Sequence, residues 1–177
     1  MADKRTWNDH TPCEICLINP PWLTRNDNIW HAIKPAMPPL GLLQLAAVLE
    51  KEGADVAIID AHVEKLSLRQ LEERLRGLQP KIIGITALTA TAVQSNQIAR
   101  LSRRILPETK VVMGGIHAGV RPEECLRNRA VDIVVRGEAE DTFPRLCGAV
   151  LTGETLHDIP GLSFLGSDGP INNEPAT

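Results

Sequence analysis

Five short apolar runs, each followed by a stretch of helical period, constrain this chain more than any other feature. They are Cys13–Ile18, Val56–Ile59, Ile82–Ile85, Val111–Met113 and Val131–Val135, the last interrupted only by Asp132. The runs are continuous rather than alternating, as strands are when both faces of a sheet are covered. Between them, "PPLGLLQLAAVLEKEGADV" sets Leu42, Leu45, Ala46 and Leu49 on one helical stripe and stops at Gly53. "SLRQLEERLRGLQP" repeats leucine at 68, 71, 75 and 78 behind a Ser67 N-cap. "ATAVQSNQIARLSRRILPE" continues with Val93, Ile98, Leu101 and Ile105 and ends at Pro107. "RPEECLRNR" is a short helix with Pro122 in its first turn, and "AEDTFPRLCGAVLTG" is the last helix, with Glu140 and Asp141 at its positive end. Strand then helix, five times over with right-handed crossovers, predicts an α/β fold: a doubly wound, five-stranded parallel sheet. Its expected order is 2-1-3-4-5, flavodoxin-like and therefore Rossmann-like.

The pattern decays near Thr152, where "HDIPGLSFLGSDGPINNEPAT" reads as an extended strand or hairpin and a loose tail. The expected division is a flexible segment over 1–12, an α/β domain over 13–152, and an extension over 153–177. A net charge of -3 argues against a nucleic-acid surface, and 3% aromatic residues with no tyrosine argue against base-stacking platforms. No apolar run approaches the roughly 18 residues of a membrane span, and "MADKRTWNDHT" lacks the apolar core of a secretion signal. Four cysteines in 177 residues do not form a disulfide framework, so a reducing cytoplasm is the expected compartment.

Ligands of such sheets bind beyond the carboxyl ends of the strands, where the strand order reverses. Three segments meet there: "NPPWLTRND" after the first strand, "TALTAT" after the third and "GGIHAG" after the fourth. Asn19-Pro20-Pro21 is a rigid exit, Thr86, Thr89 and Thr91 make a hydroxyl-rich loop, and Gly114-Gly115 presents bare backbone. Together they predict a wide slot for a ligand with a polar tail. The fingerprints of the common nucleotide ligands are missing: neither Gly-x-Gly-x-x-Gly nor Gly-x-x-x-x-Gly-Lys-Ser/Thr occurs. A receiver domain would cluster acids after its first strand and place a lysine after its last. Here stand only Asp27 and the Arg136-Gly137-Glu138 run. From the residues alone, a flavin- or nucleotide-binding domain, a receiver-like signalling module and a ligand-free interaction domain stay open.

Five blocks in order, "INPP", "PPLGLLQLAAVLEKEGADVAIIDA", "IIGITALTAT", "VVMGGIHAG" and "VDIVVRGEAEDTFPRL", carry a family resemblance. From about Ile15 to Phe164 the chain resembles the N-terminal cobalamin-binding domain of cobalamin-dependent radical SAM enzymes, which include the anaerobic Mg-protoporphyrin monomethyl ester cyclase and many methylases. Thr86-Ala87-Leu88 and Gly114-Gly115 occupy the positions of that family's Ser-x-Leu and Gly-Gly elements. The resemblance implies that they line a channel for the nucleotide tail of cobalamin, with the corrin across the sheet's carboxyl edge. It places Asn19 and Pro20 on one wall, Thr89, Thr91 and His117 beside the channel, and Gly137 and Glu138 on the far rim. Bulk introduced at Gly115 is then expected to block the slot.

Two departures qualify the resemblance. Related cobalamin domains ligate cobalt through Asp-x-His-x-x-Gly after the first strand, but "DAHVEK", with Asp60 and His62, follows the second strand and lacks the glycine. His31 lies in the first loop without ligand spacing; many radical SAM relatives lack the lower histidine, and the resemblance then implies base-off cobalamin without a protein ligand. A radical SAM barrel needs Cys-x-x-x-Cys-x-x-Cys for a [4Fe–4S] cluster. Cysteines 13, 16, 125 and 147 do not form it. Cys13 and Cys16, three apart in a strand, are expected on opposite faces, and Cys125 and Cys147 as buried small hydrophobes. No nucleophile–base pair supports independent catalysis. The resemblance therefore implies a cofactor carrier that turns nothing over alone. Its partner would be a radical SAM barrel, in cis or in trans, that holds the cluster and S-adenosylmethionine for methyl transfer or radical chemistry. The terminal "GPINNEPAT" resembles the linker leading to such a barrel.

Overall fold

Each apolar run becomes a strand whose side chains divide by parity between two covered faces. A computed structural model describes residues 12–22, 38–127 and 129–176. Its strands are β1 (Ile15–Asn19), β2 (Val56–Asp60), β3 (Ile82–Thr86), β4 (Lys110–Gly114) and β5 (Ile133–Val135). All pair in parallel in the order β2-β1-β3-β4-β5. The helices are α1 (Leu40–Lys51), α2 (Leu68–Leu78), α3 (Ala92–Ile105), α4 (Ile116–Val120), α5 (Pro122–Leu126) and α6 (Thr142–Thr152). Ile15 and Leu17 of β1, Ile82 of β3 and Val112 of β4 pack under α1 and α6 through Leu42, Leu49, Phe143 and Leu146. Cys16, Ile18, Ile83, Ile85, Val111 and Met113 pack on the other face under α2 and α3. Two apolar layers thus sandwich one sheet. Among the described residues no helix is long and apolar enough to cross a membrane.

Local chemistry fixes the helix ends. The Ser67 hydroxyl accepts from the Gln70 amide, and the Gln70 side chain reciprocates to Ser67, a full capping box before α2. Gly53 follows α1 at φ +90° and Gly153 follows α6 at φ +76°, the left-handed stops their positions predict. Val93 departs from its expected stripe and is 65% exposed, while Ala92, Gln94 and Ser95 of the same turn are buried. Helix α4 is an addition. Its five residues are too few to show a period in the sequence.

The sheet also continues past β5. Residues after α6 form a hairpin, β6 (Leu162–Gly166) and β7 (Gly169–Asn172), and β6 pairs antiparallel with β5, giving seven strands and a mixed sheet. Arg136 ties this hairpin down: its guanidinium donates to the carbonyls of Leu162 and Asn173, and its amide donates to Gly161 O at 2.8 Å. Asn173 in turn donates to the carbonyls of Leu156 and Ile159 at 2.6 and 2.7 Å. Arg136 thus fastens the hairpin to the sheet.

Candidate ligand site at the carboxyl edge

Strands β1 and β3 are neighbours, yet the helices that follow them, α1 and α3, cover opposite faces of the sheet. The divergence opens a crevice at the carboxyl edge. Strand periodicity then builds two tiers on the face toward α1 and α6. Asn19, Thr86 and Gly114 form the upper tier; two residues earlier, Leu17, Gly84 and Val112 stand in register as the lower one. At the rise of a β-strand the tiers lie about 7 Å apart. A cavity of about 420 Å³ occupies this space, walled by Leu40, Leu42 and Leu45 of α1 and Phe143 of α6. Gly84 sets its floor. A Cβ there would come within 2.8 Å of Leu17 Cδ2 and 3.2 Å of Phe143 Cζ, so the missing side chain is what lets Phe143 lie down on the sheet.

The glycine pair at the end of β4 divides its labour. Gly115 adopts φ +91°, and a Cβ on it would stand 2.9 Å from the carbonyl oxygen of Ala87. That backbone is spoken for: Ala87 N–H donates to Gly114 O at 2.8 Å, and His117 N–H donates to Ala87 O at 3.0 Å. The loops after β3 and β4 are thereby stitched together, which requires glycine at 115 on conformational grounds alone. Gly114 differs. Its φ is ordinary, and a Cβ there would meet no protein atom closer than Val135 O at 3.9 Å. Its bare face borders the cavity.

Of the residues singled out in the sequence, Asn19, Thr86, Leu88, Gly114, Gly115, Gly137 and Glu138 line this cavity. Pro20, Ala87, Thr89, Thr91 and His117 do not. Pro20 and Ala87 are buried and Thr89 is exposed on the loop. Thr91 turns inward, its hydroxyl accepting from Leu88 N–H at 3.1 Å and donating to Leu88 O, so it shapes the turn instead of facing a ligand. The Ser95 hydroxyl closes the same loop by bonding to Thr86 O and Thr91 O. His117 lies on α4 with Nε2 buried and 4.0 Å from Glu124 Oε1. The walls from α1 and α6 and the floor at Gly84 went unread in the sequence. The glycine inside "IIGIT" was the available signal.

Beside the slot, Asp60 organises the end of β2. Its Oδ1 accepts from Asn19 Nδ2 at 2.9 Å and from the amides of His62 and Val63. Asn19 is thus held in place through its side-chain amide. The Trp22 amide donates to His62 Nδ1 at 3.1 Å, so the proton of a neutral imidazole resides on Nε2. An Nε2–H is a donor. His31 and Asp27 lie outside the described residues.

Cys13 and Cys16 were expected on opposite faces; both face the α2–α3 layer. Strand β1 begins only at Ile15, so alternation does not reach back to Cys13. None of the four cysteines is in a disulfide, and all are buried. Burial, with Glu52 adding to it, pushes Cys147 up to about 12, and burial with Glu124 takes Cys125 to about 11. Cys16 is raised by burial and then by Cys13, against a smaller opposing pull from Arg74. No grouping of three or more potential metal ligands occurs among the described residues.

The family model described as the B12 binding domain matches residues 29–147, which take in α1, β3, β4 and Phe143 of the slot but not β1. The chain belongs to the B12-binding domain family. This B12-binding domain is 36% identical over 163 residues to an uncharacterized methyltransferase of Pyrococcus horikoshii, covering 92% of this chain and 34% of the relative. It is 32% identical over 149 residues to the anaerobic magnesium-protoporphyrin IX monomethyl ester cyclase of Cereibacter sphaeroides, covering 81% and 24%. The chain therefore spans about a third or less of the length of these curated relatives. Among solved structures, the cobalamin-bound radical S-adenosylmethionine methyltransferase TsrM of Kitasatospora setae superposes with a TM-score of 0.77 at 23% identity, over 94% of this chain and 30% of that one. The cobalamin-dependent radical enzyme OxsB gives 0.78 at 19% identity, over 95% and 23%. The receiver domain of NtrC4 from Aquifex aeolicus reaches only 0.52 at 13% identity, over 78% and 97%. These likenesses establish the α/β fold. The receiver-like alternative is the weaker one.

Proposed function

We propose that this B12-binding domain holds cobalamin at its carboxyl edge, with the nucleotide tail in the two-tiered slot and the corrin over the loops after β1, β3 and β4. The observation that carries this reading is the lining of the slot. Its described residues include no lysine or arginine, its lower tier is hydrocarbon, and its mouth carries Glu138 and Glu140. A flavin mononucleotide would bring a phosphate dianion to two carboxylates with no lysine or arginine among the described lining residues, whereas the tail of cobalamin carries one negative charge on a phosphodiester. A corrin is fringed with amides, whose N–H groups those carboxylates can accept. Gly114 leaves room for the tail, Thr86 offers a hydroxyl at the rim, and Leu40 and Leu88 supply apolar edges. With His62 Nδ1 occupied by the Trp22 amide, cobalt receives no ligand from that side chain. Cobalamin supplies methyl transfer or radical chemistry when bound; the residues here bind it, orient it and shield its tail from water.

The activity itself belongs to a longer assembly. The relatives are named as methyltransferases and cyclases and are about three times longer. We assign this chain the role of cofactor module, serving a radical SAM barrel in cis or in trans that holds the [4Fe–4S] cluster and S-adenosylmethionine, in a reducing cytoplasm. Mixing the chain with hydroxocobalamin, desalting and recording the visible spectrum tests the first half: a corrin band co-eluting in about equimolar ratio is expected. A folded sample that emerges colourless refutes it. Incubated with S-adenosylmethionine and reductant as the sole protein, the chain should yield neither S-adenosylhomocysteine nor 5′-deoxyadenosine above a blank.

A further inference from the structure

The lower tier of the slot limits which corrinoid fits best. Corrinoids differ in the base that ends the tail: a methylated benzimidazole in cobalamin, a purine in others, none in cobinamide. On the cobalamin reading the tail would enter between Thr86 and Gly114, and its end would reach the tier of Leu17, Gly84 and Val112, about 7 Å further down. Around that end stand Leu42 and Leu45 of α1 and Phe143 of α6. None of these side chains carries a hydrogen-bonding atom. The backbone of the tier is committed to the parallel ladders β1–β3 and β3–β4. The polar side chains of the lining, Asn19, Thr86, Glu138 and Glu140, belong to the upper tier and the mouth, and Asn19 is already bonded to Asp60.

Resting on the cobalamin reading above, we infer that this domain selects corrinoids with an apolar benzimidazole base and rejects those with a purine base. The two methyl groups of the benzimidazole would bury against Leu45, Val112 and Phe143, where apolar contact is favourable. Against the single free ring nitrogen of the benzimidazole, adenine would bring several ring nitrogens and an amino group to the same place and leave them without water or partner. One such group costs roughly tenfold in affinity, and several cost more. Gly84 and Phe143 fix the depth, because the floor cannot recede while the ring lies on the glycine.

Visible-spectrum titration of the chain with cobalamin, adeninylcobamide and cobinamide separates the possibilities. Cobalamin should bind at least roughly tenfold more tightly than adeninylcobamide. Cobinamide should bind more weakly than cobalamin, since it leaves the slot empty of base. Equal affinity for cobalamin and adeninylcobamide overturns the selectivity while leaving corrinoid binding intact. Failure of all three to bind removes the underlying reading as well. Val112→Thr places a hydroxyl in the lower tier at nearly constant volume, and Leu45→Gln places an amide there from the half-buried face of α1. Either variant, folded, should narrow the ratio between the two corrinoids. An unchanged ratio in both would show that the discrimination does not arise at this tier.

Discussion

The carbonyl oxygen of Ala87 lies 2.9 Å from the point where a Cβ on Gly115 would stand. The same oxygen accepts the His117 amide, so it cannot yield without opening the clasp between the β3 and β4 loops. Gly115→Ala should therefore destabilise the fold by about 1–3 kcal/mol, from a disfavoured φ of +91° and a backbone collision. Urea denaturation measures it. An unchanged midpoint would mean that the loops rearrange freely. The same geometry revises the sequence expectation that bulk at Gly115 blocks the slot: the first casualty is the backbone.

Gly114 supplies the cleaner block. With 3.9 Å to its nearest potential neighbour, a side chain there meets little protein and projects beside the cavity. Gly114→Leu should unfold at nearly the wild-type urea concentration yet lose cobalamin affinity by about 100-fold or more, as filling a shaped site does. Retained binding in a folded Gly114→Leu protein would move the tail elsewhere.

The parallel core was legible because apolar runs and helical periods are local signals, and both survive in a single sequence. Thr86 and Gly114 could be placed at the cavity from sequence because they end strands whose carboxyl edge the topology makes a ligand edge. Leu45 and Phe143 could not. Leu45 reads as an ordinary stripe residue of α1 and Phe143 as one more apolar residue of α6, and only the packing of those helices turns them into a wall. The antiparallel docking of β6 was hidden for a similar reason: a hairpin's register to β5 is set by Arg136 and Asn173 reaching backbone carbonyls, a contact with no periodic trace. In sequence a loop hydroxyl such as that of Thr91 looks the same whether it faces a ligand or closes its own turn.

His62 is a test of the cobalt environment. Because the Trp22 amide holds Nδ1, the imidazole offers only a proton on Nε2. The electron paramagnetic resonance spectrum of the bound, reduced cobalt(II) corrinoid should be the same for wild type and His62→Ala. Nitrogen hyperfine structure present in wild type and absent in the variant would identify His62 as a ligand after all.

The buried thiols predict a pH response. Their ionisation is disfavoured in the folded state, to about 12 for Cys147 and about 11 for Cys125, while an unfolded thiol titrates near 9. Stability is therefore unaffected by these groups below pH 9. It falls as pH rises from 9 through about 12, because only the unfolded chain can release the protons easily. Denaturation midpoints at pH 8 and pH 10 should show this order. At pH 8 a thiol reagent should modify all four cysteines only after denaturant is added.

Ser67→Ala should cost about 1 kcal/mol by leaving the first turn of α2 without its reciprocal cap. Thermal melting would register it, and the corrinoid spectrum should not change, since α2 lies on the opposite face from the slot.

Arg136→Met keeps the length of the side chain and removes its donors to Leu162 O and Asn173 O. Amides across 161–174 should exchange with deuterium faster by about tenfold or more, as two lost bonds of a charged donor imply, while β1, β3 and β4 keep their protection. Uniformly faster exchange would mean that Arg136 supports the entire sheet.

The hairpin has a consequence for how this chain behaves in a crowded solution. Strand β5 is Ile133, Val134 and Val135, three buried apolar residues whose open side would be a bare template for another molecule's backbone. Strand β6 occupies that side, and β7 then becomes the margin, only four residues long, with Pro170 contributing one fewer amide to any intruding strand. Among the described residues the sheet thus ends at a border that recruits poorly. A chain shortened before Leu162 would keep every residue of the slot and still present an adhesive flank, so its failure would appear as turbidity before any loss of ligand.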